Sequence, residues 1–191
     1  MPDSYDFPTL PDLLRPGMDL VFVGINPSLY SVQRGHYFAR RTSRFWPAFS
    51  ASRLSAPIRD ALALDVLGPE NDGDLLPFGI GFTDVVKVPT GNASQIRPAM
   101  YVEWAPRLLE RLTQAEPRLA VFHGVTGYRP FLHHALDSDR KVVELGPQDE
   151  TIGATRLYVV PNPSPANAHF TLADQTAWYD RVSDFLHALH R

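Results

Sequence analysis

Short apolar runs, each closed by glycine or proline, alternate along this chain with longer amphipathic stretches. The runs Asp19–Ile25 and Leu119–His123 are nearly continuous and rich in valine and phenylalanine, which is typical of buried strands. Arg156–Val160 predicts a third strand, and Ile80–Val88 predicts a weaker one. Helical spacing of apolar residues predicts the remaining elements, which are residues 45–54, a helix opening at Pro98, residues 125–136 and a last helix from about Leu172.

The segments between these elements are predicted to be irregular. Residues 1–17 predict an irregular arm, 29–43 a loop rich in glycine, serine and arginine, and 65–79 an exposed loop. Strands that alternate with helices favour an α/β fold with a mainly parallel sheet, and a length of 191 residues suits a single domain over residues 1–191. In such sheets, sites form where the carboxyl ends of the strands open outward.

Composition removes several classes of site. The chain has no cysteine, which excludes disulfides, thiolate catalysis, cysteine-bound zinc and iron–sulfur clusters. Its seven histidines show no metal-binding spacing. No apolar run is long enough to span a membrane, and the acidic N-terminus does not resemble a signal peptide. We therefore expect a cytosolic protein, associated with the nucleoid if its source is a bacterium.

Charge is distributed unevenly, although the net charge is only −3. The segment Leu20–Arg59 has no acidic residue, whereas Asp60–Asp84 has several and no basic one. A basic segment of this kind is either a solvated loop or a nucleic-acid surface, and the residues alone leave both open. The arginines of the basic segment are Arg34, Arg40, Arg41, Arg44, Arg53 and Arg59.

The tripeptide Asn-Pro-Ser follows two of the predicted strands, at Asn26–Ser28 and at Asn162–Ser164. If the strands are parallel, both turns lie at the same edge of the sheet and can form two walls of one cleft. Asn-Pro and Pro-Ser are also ordinary turn dipeptides, so this spacing by itself suits two unrelated turns as well.

The residues around the first turn extend the pattern. The motifs Gly24-Ile25-Asn26-Pro27-Ser28, Gly35-His36-Tyr37-Phe38-Ala39 and Arg44-Phe45-Trp46 together resemble the first motif block of the mismatch-specific uracil-DNA glycosylases, a group that includes the thymine-DNA glycosylases. Gly81–Val86 resembles their Gly-x-Thr segment, and Pro161–Ser164 resembles their second catalytic motif. The resemblance covers residues 20 to about 170 and implies a three-layer α/β/α sandwich around a small, mainly parallel sheet.

The resemblance implies a monofunctional DNA glycosylase that flips uracil, or another damaged or mismatched pyrimidine, out of DNA and hydrolyses its N-glycosidic bond. We expect G·U mismatches and single strands as its chief substrates, and an abasic site for base-excision repair as its product. We expect no cofactor, no metal and no membrane partner, and a monomer acting on DNA. A non-catalytic module that binds flipped bases or nucleotides in the same pocket is the alternative.

Each candidate residue has a role under the resemblance. Asn26 is expected to position the attacking water, since an amide orients water and cannot act as a general base, and Phe38 is expected to stack on the base. From the residues alone, these two could equally be a turn asparagine and a core aromatic. Ser28 stands where the family usually has glycine. The expected substrate-binding residues are Gly24, Ile25, Ser28, Ser31, Phe38 and Asn162.

A second set of residues is expected to contact DNA outside the base pocket. Ser164 is expected to bind a phosphate, and Asn167 either contacts the orphan guanine or is a solvated loop residue. Ala166 stands where relatives often carry a bulky wedge that fills the space left by the flipped base, and it is too small to wedge well. The expected DNA-binding residues are His36, Arg40, Arg41, Ser164, Ala166 and Asn167.

Asp84 departs most from the family pattern, which generally has a non-acidic residue after this threonine. A carboxylate near Asn26 could take a proton from the attacking water or stabilise the oxocarbenium sugar by its charge. A capping or surface aspartate is the alternative. The sequence therefore proposes Asn26 and Asp84 as the catalytic residues.

Overall fold

The continuous apolar runs form the centre of one sheet in the computed structural model, which describes residues 5–189. The sheet has five strands in the order β2-β1-β3-β5-β4. The strands are β1 Leu20–Gly24, β2 Ile80–Asp84, β3 Leu119–His123, β4 Gly146–Ile152 and β5 Thr155–Val160. The helices are α1 Leu29–Arg34, α2 Phe45–Ala51, α3 Ala56–Leu62, α4 Pro98–Ala115, α5 Val125–Ala135 and α6 Leu172–Ala188.

The strands β2, β1, β3 and β5 are parallel, and only the edge strand β4 runs antiparallel to its neighbour. Gly24 pairs with Asp84, and His123 pairs with Val160, so these carboxyl ends lie at one edge. Chain segments that leave the sheet here are brought together whatever their separation in sequence.

Helices cover both faces of the sheet. On one face Phe22 packs with Phe45 of α2 and Tyr179 of α6. On the other face the alternate residues Val21 and Val23 belong to a core with helices α4 and α5. Alternation of buried residues along β1 therefore gives each face its own core, and the predicted three-layer α/β/α arrangement is confirmed.

Several predicted boundaries are wrong, for local reasons. The segment 29–43 is not all loop, because Ser28 caps α1 through a bond from the backbone N–H of Ser31 and Gly35 ends it in the left-handed region. The helix predicted over 45–54 ends at Ala51, and α3 follows. The segment 65–79 is not simply exposed, because it buries Leu67 and Leu75 and forms two short 3₁₀ turns.

The edges of the sheet differ most from expectation. Strand β4 was not predicted, and the strand predicted over 80–88 ends at Asp84. The backbone of Leu13 exchanges two hydrogen bonds with Phe82, at 2.9 and 3.1 Å, so the segment before β1 adds an antiparallel contact beside β2. Within residues 5–189, no helix is both long and apolar enough to cross a membrane.

Candidate active site

A pocket of about 180 Å³ opens at the carboxyl edge of the parallel strands. Its walls come from the turn after β1, the segment 37–43, the loop after β2 and the turn after β5. Every residue that the sequence proposes for catalysis or base binding lines it, and these are Gly24, Ile25, Asn26, Ser28, Ser31, Phe38, Asp84 and Asn162. The two Asn-Pro-Ser turns thus form walls of one cleft, as their spacing predicts.

The side-chain amide of Asn26 has a fixed orientation. Its Nδ2 donates to the carbonyl oxygen of Val88 at 3.0 Å and to the Thr90 hydroxyl at 2.8 Å. A carbonyl can only accept, so the nitrogen must face Val88 and the oxygen must face away. Among residues 5–189 no donor bonds to this Oδ1. Asn26 therefore offers the pocket one positioned acceptor, which can orient a water molecule.

The carboxylate of Asp84 lies directly against the backbone of Gly24 on the neighbouring strand. A Cβ at Gly24 would lie 2.4 Å from Asp84 Oδ1, so only glycine leaves room for the carboxylate in this position. Asp84 is 3% exposed, yet it lines the pocket. Gly24 is therefore needed for the position of the Asp84 carboxylate as well as for the turn.

Burial governs the charge of Asp84. Loss of solvent raises the pKa of this carboxyl to about 6, although Lys87 pulls it down and Asp12 opposes Lys87. The Lys87 Nζ lies 3.7 Å from Asp84 Oδ2, which is an ion pair longer than a hydrogen bond. Within the described part of the chain, that Oδ2 has no hydrogen-bond partner. At neutral pH the site therefore holds a largely charged carboxylate, whose Oδ2 is buried beside Lys87.

Phe38 is held in a backbone conformation that costs energy. Its φ is +53°, in the left-handed region that non-glycine residues seldom adopt. Hydrogen bonds hold the chain on either side of it, from Tyr37 N to Asp72 Oδ2 at 2.9 Å and from Ala39 N to Ser31 Oγ at 3.3 Å. Its ring stacks on Phe45 with 4.3 Å between the ring centroids, and it also lines the pocket.

His123 is a pocket residue that sequence reasoning missed. It ends β3, and its Nε2 lies 3.0 Å from the Tyr179 hydroxyl. Burial lowers the pKa of this imidazole to about 3, so the ring is neutral. The sequence does contain a signal for it. His123 is a polar residue at the carboxyl end of a predicted central strand, and the carboxyl ends of parallel strands meet at the edge where the site forms.

The turn after β5 is held together by its own side chains. Asn162 Oδ1 accepts from Ser164 N at 2.9 Å, and Asn167 Nδ2 donates to the Asn162 carbonyl at 3.1 Å. Within residues 5–189, Asn162 Nδ2 has no bonding partner, so it is a donor available to a ligand in the pocket. Asn167 does not line the pocket itself and acts here as a brace for the turn.

Arg44 joins this turn to the basic segment. Its backbone N donates to the Pro163 carbonyl at 2.9 Å, and its guanidinium donates to the carbonyls of Asn167, at 2.8 and 3.1 Å, and Phe170, at 2.7 Å. These carbonyls take up the donors with which an arginine would bind phosphate. Arg44 is thus a structural clamp across the mouth of the pocket.

The predicted DNA-binding residues lie around the rim. Arg40 and Ser164 line the pocket, whereas His36, Arg41, Ala166 and Asn167 are outside its lining. Arg40 and Arg41 are exposed, with one hydrogen bond from Arg40 to the Gly91 carbonyl at 3.2 Å. His36 lies 3.1 Å from Asp72. The rim therefore has fewer free cations than the basic segment suggests.

The pocket combines an aromatic face, a fixed acceptor, a free amide donor and a buried carboxylate. A flat polar heterocycle can stack on the ring while the amide donor meets its oxygen, and Asn26 Oδ1 can accept a hydrogen bond from a water in the same pocket. Such a set can bind a base and direct a water to the carbon that bears it.

Comparison with known proteins decides the family. The family model described as the uracil DNA glycosylase superfamily matches residues 11–186. The chain belongs to that superfamily. A protein from Methanosarcina acetivorans, provisionally assigned as a uracil DNA glycosylase and known from a solution NMR structure, is 19% identical, with 96% of this chain and 98% of that chain covered at a TM-score of 0.53.

The two comparisons carry different weight. The structural likeness to the Methanosarcina protein shows a shared fold. Superfamily membership supports a DNA glycosylase, that is, a hydrolase of N-glycosidic bonds that works in DNA repair on uracil-containing DNA. The pocket of this glycosylase lies at the edge of the sheet where that chemistry needs donors and a held water.

Proposed function

We propose that the protein is a monofunctional, mismatch-specific uracil-DNA glycosylase that works as a one-domain monomer. The observation that carries the proposal is that the Asn26 amide, the Asp84 carboxylate and the Phe38 ring all line one pocket. Flipped uracil enters the pocket and stacks on Phe38, and the Asn162 amide donates to the base.

The reaction is a displacement by water at the sugar C1′. Asn26 Oδ1 accepts a hydrogen bond from the water and orients it. The water oxygen bonds to C1′ as the bond from C1′ to the base nitrogen breaks, and the bonding electrons leave on the base. Asp84 takes the proton that the water loses, and its charge stabilises the oxocarbenium-like sugar before the transfer is complete. The products are an abasic site and the uracil anion, which takes a proton from solvent after it leaves.

The preference for G·U and single strands is part of the same proposal. Ala166 offers little bulk to occupy the space of a flipped base. Flipping costs a few kcal/mol in paired DNA and least in mismatched or single-stranded DNA. An enzyme without a bulky wedge is therefore expected to act best where flipping is easiest.

The test is base release from oligonucleotides that carry one uracil opposite guanine, opposite adenine or in a single strand, with excess chelator present. We expect release from the G·U and single-stranded substrates at higher single-turnover rates than from A·U. Binding without release would favour the non-catalytic module. Loss of activity with chelator, restored by a divalent ion, would contradict the metal-free mechanism, and equal rates on all three substrates would contradict the argument from Ala166.

A further inference from the structure

A cluster of four charges, three of them buried and the fourth nearly so, includes Asp84 of the pocket wall. The other members are Lys87, Asp12 and Arg111. The side chain of Lys87 is 0% exposed, and its Nζ lies 3.0 Å from Asp12 Oδ1, 3.0 Å from the Tyr37 hydroxyl and 3.7 Å from Asp84 Oδ2. Two cations face two anions, so the cluster is balanced in charge, as buried charges must be.

Asp12 is anchored from several directions. Thr83 Oγ1 donates to its Oδ1 at 2.6 Å, and Tyr5 donates to its Oδ2 at 2.9 Å. Arg111 Nη1 donates to the same Oδ2 at 3.1 Å. Burial raises the pKa of Asp12, but the charges of Lys87 and Arg111 and the hydrogen bonds from Thr83 and Lys87 together bring it below its ordinary value. Asp12 is therefore a fixed anion, and it fixes the ammonium of Lys87.

Asp84 is held far more loosely. Arg111 donates to its backbone carbonyl at 2.9 Å and not to its carboxylate. Burial is the largest influence on its charge, and of the two cations Lys87 opposes burial more strongly than Arg111 does. The remaining ionisable groups of the cluster are Tyr5 and Tyr37, whose rings lie 5.8 and 5.5 Å from Lys87 Nζ.

We propose that Lys87 is the positioning residue that keeps the Asp84 carboxylate ionised and aimed at the pocket, and that Asp12, from the segment before β1, holds Lys87 in place. The proposal rests on the proposed function, in which Asp84 acts as a carboxylate. It makes the segment before β1 part of the catalytic machinery. Among the described residues 5–12 of that segment, Leu10 is the one that lines the pocket.

The test is Lys87→Met, with the single-turnover rate measured on G·U DNA from pH 5 to 10. An opposite charge within about 4–6 Å typically lowers a carboxyl pKa by about 1–3 units. Removing that charge should therefore move the acidic limb of the profile to higher pH by about 1–3 units. At pH 7 the rate should fall by about 2-fold if the pKa of Asp84 rises by about one unit, and by about 100-fold if it rises by about three. At pH 10 the rate should approach that of the wild type, because Asp84 then ionises without help.

The matched control is Lys141→Met, which removes an exposed lysine and should leave the profile unchanged. If Lys87→Met does not fold, Tyr37→Phe removes one of the anchors of Lys87 and should shift the limb in the same direction by less. An unmoved limb, or a loss of rate that is uniform across the pH range, would overturn the proposal.

A second readout separates this proposal from the proposed function. Titration of the Asp84 side-chain carboxyl by ¹³C NMR measures its pKa directly and does not depend on base release. The pKa should be higher in Lys87→Met than in the wild type. If Asp84→Asn keeps the wild-type rate while the titration shifts, the catalytic role of Asp84 fails and the hold of Lys87 on it stands. If the titration does not shift, the role of Lys87 fails.

Discussion

Gly24→Ala places a methyl group where the Asp84 carboxylate lies. The new Cβ would be 2.4 Å from Asp84 Oδ1, whereas ordinary contacts begin at 3.4 Å, so the two groups must separate by about 1 Å. The strands cannot supply this movement freely, because Gly24 and Asp84 are paired in the β1–β2 ladder. The carboxylate must therefore withdraw from the pocket side.

A displacement of this size has a predictable cost. A misplacement of about 1 Å at a reacting group can lower the rate about 10²-fold. Overpacking of a well-packed site costs about 1–3 kcal/mol of folding stability. We therefore expect Gly24→Ala to fold, with a lowered melting temperature, and to release uracil from G·U DNA about 10²-fold more slowly in single-turnover assays.

Two comparisons isolate the cause. Gly73→Ala adds the same methyl group with no heavy atom within 4 Å and should leave the rate unchanged. In an Asp84→Ala background the clash is gone, so Gly24→Ala should add little further loss. An equal loss in both backgrounds would refute the reasoning and would point to the other neighbour, Phe38 Cζ, at 3.7 Å from the added Cβ.

Four further predictions follow from the same geometry. Asn26→Ala should lower the single-turnover rate by roughly 10²–10³-fold with little change in DNA affinity, and unimpaired release would remove Asn26 from the mechanism. Because burial raises the pKa of Asp84 to about 6 and the charged form is needed, the rate should fall as the pH drops through about 6, and a flat profile from pH 5 to 8 would contradict this. The same shift means that the folded protein binds this proton more tightly than the unfolded chain, so the contribution of Asp84 to stability should increase as the pH falls from about 6 to about 4, as unfolding of wild type against Asp84→Asn can measure. Replacing Arg40 and Arg41 together with alanine should weaken binding to all sequences alike and flatten the salt dependence by about one unit per lost phosphate contact, and an unchanged slope would show that neither contacts a phosphate.

The central strands could be predicted because they are buried on both faces. A segment such as β1 must then be apolar at every position, and this signal needs no partner to be recognised. Strand β4 is an edge strand with four consecutive polar residues, at positions 148–151, so it has no continuous apolar run. Helix α1 spans six residues and depends on its caps, Ser28 and Gly35, more than on an apolar stripe.

The candidate site, too, could be predicted from the sequence only in part. Asn26, Asp84 and Asn162 could be predicted to meet because parallel strands bring their carboxyl ends to one edge. The Lys87–Asp12 contact could not, since these residues are 75 positions apart and meet only because Leu13 pairs with Phe82 on β2. In the sequence, Lys87 looks like any solvated lysine, whereas the structure shows it fully buried.

The basic segment shows why charge along a sequence is not charge on a surface. Arg44 binds backbone carbonyls of the turn after β5, and Arg53 pairs with Asp180 and Asp184 of α6. Arg40 and Arg41, in contrast, are exposed, and Arg40 lines the pocket. Because the first two of these arginines bind other parts of the protein, we expect attraction to phosphates to contribute less to DNA affinity, and base capture by stacking on Phe38 and bonding to Asn162 to contribute more. That balance favours DNA in which the base is already easy to flip, and so it supports the proposed preference for mismatches and single strands independently of Ala166.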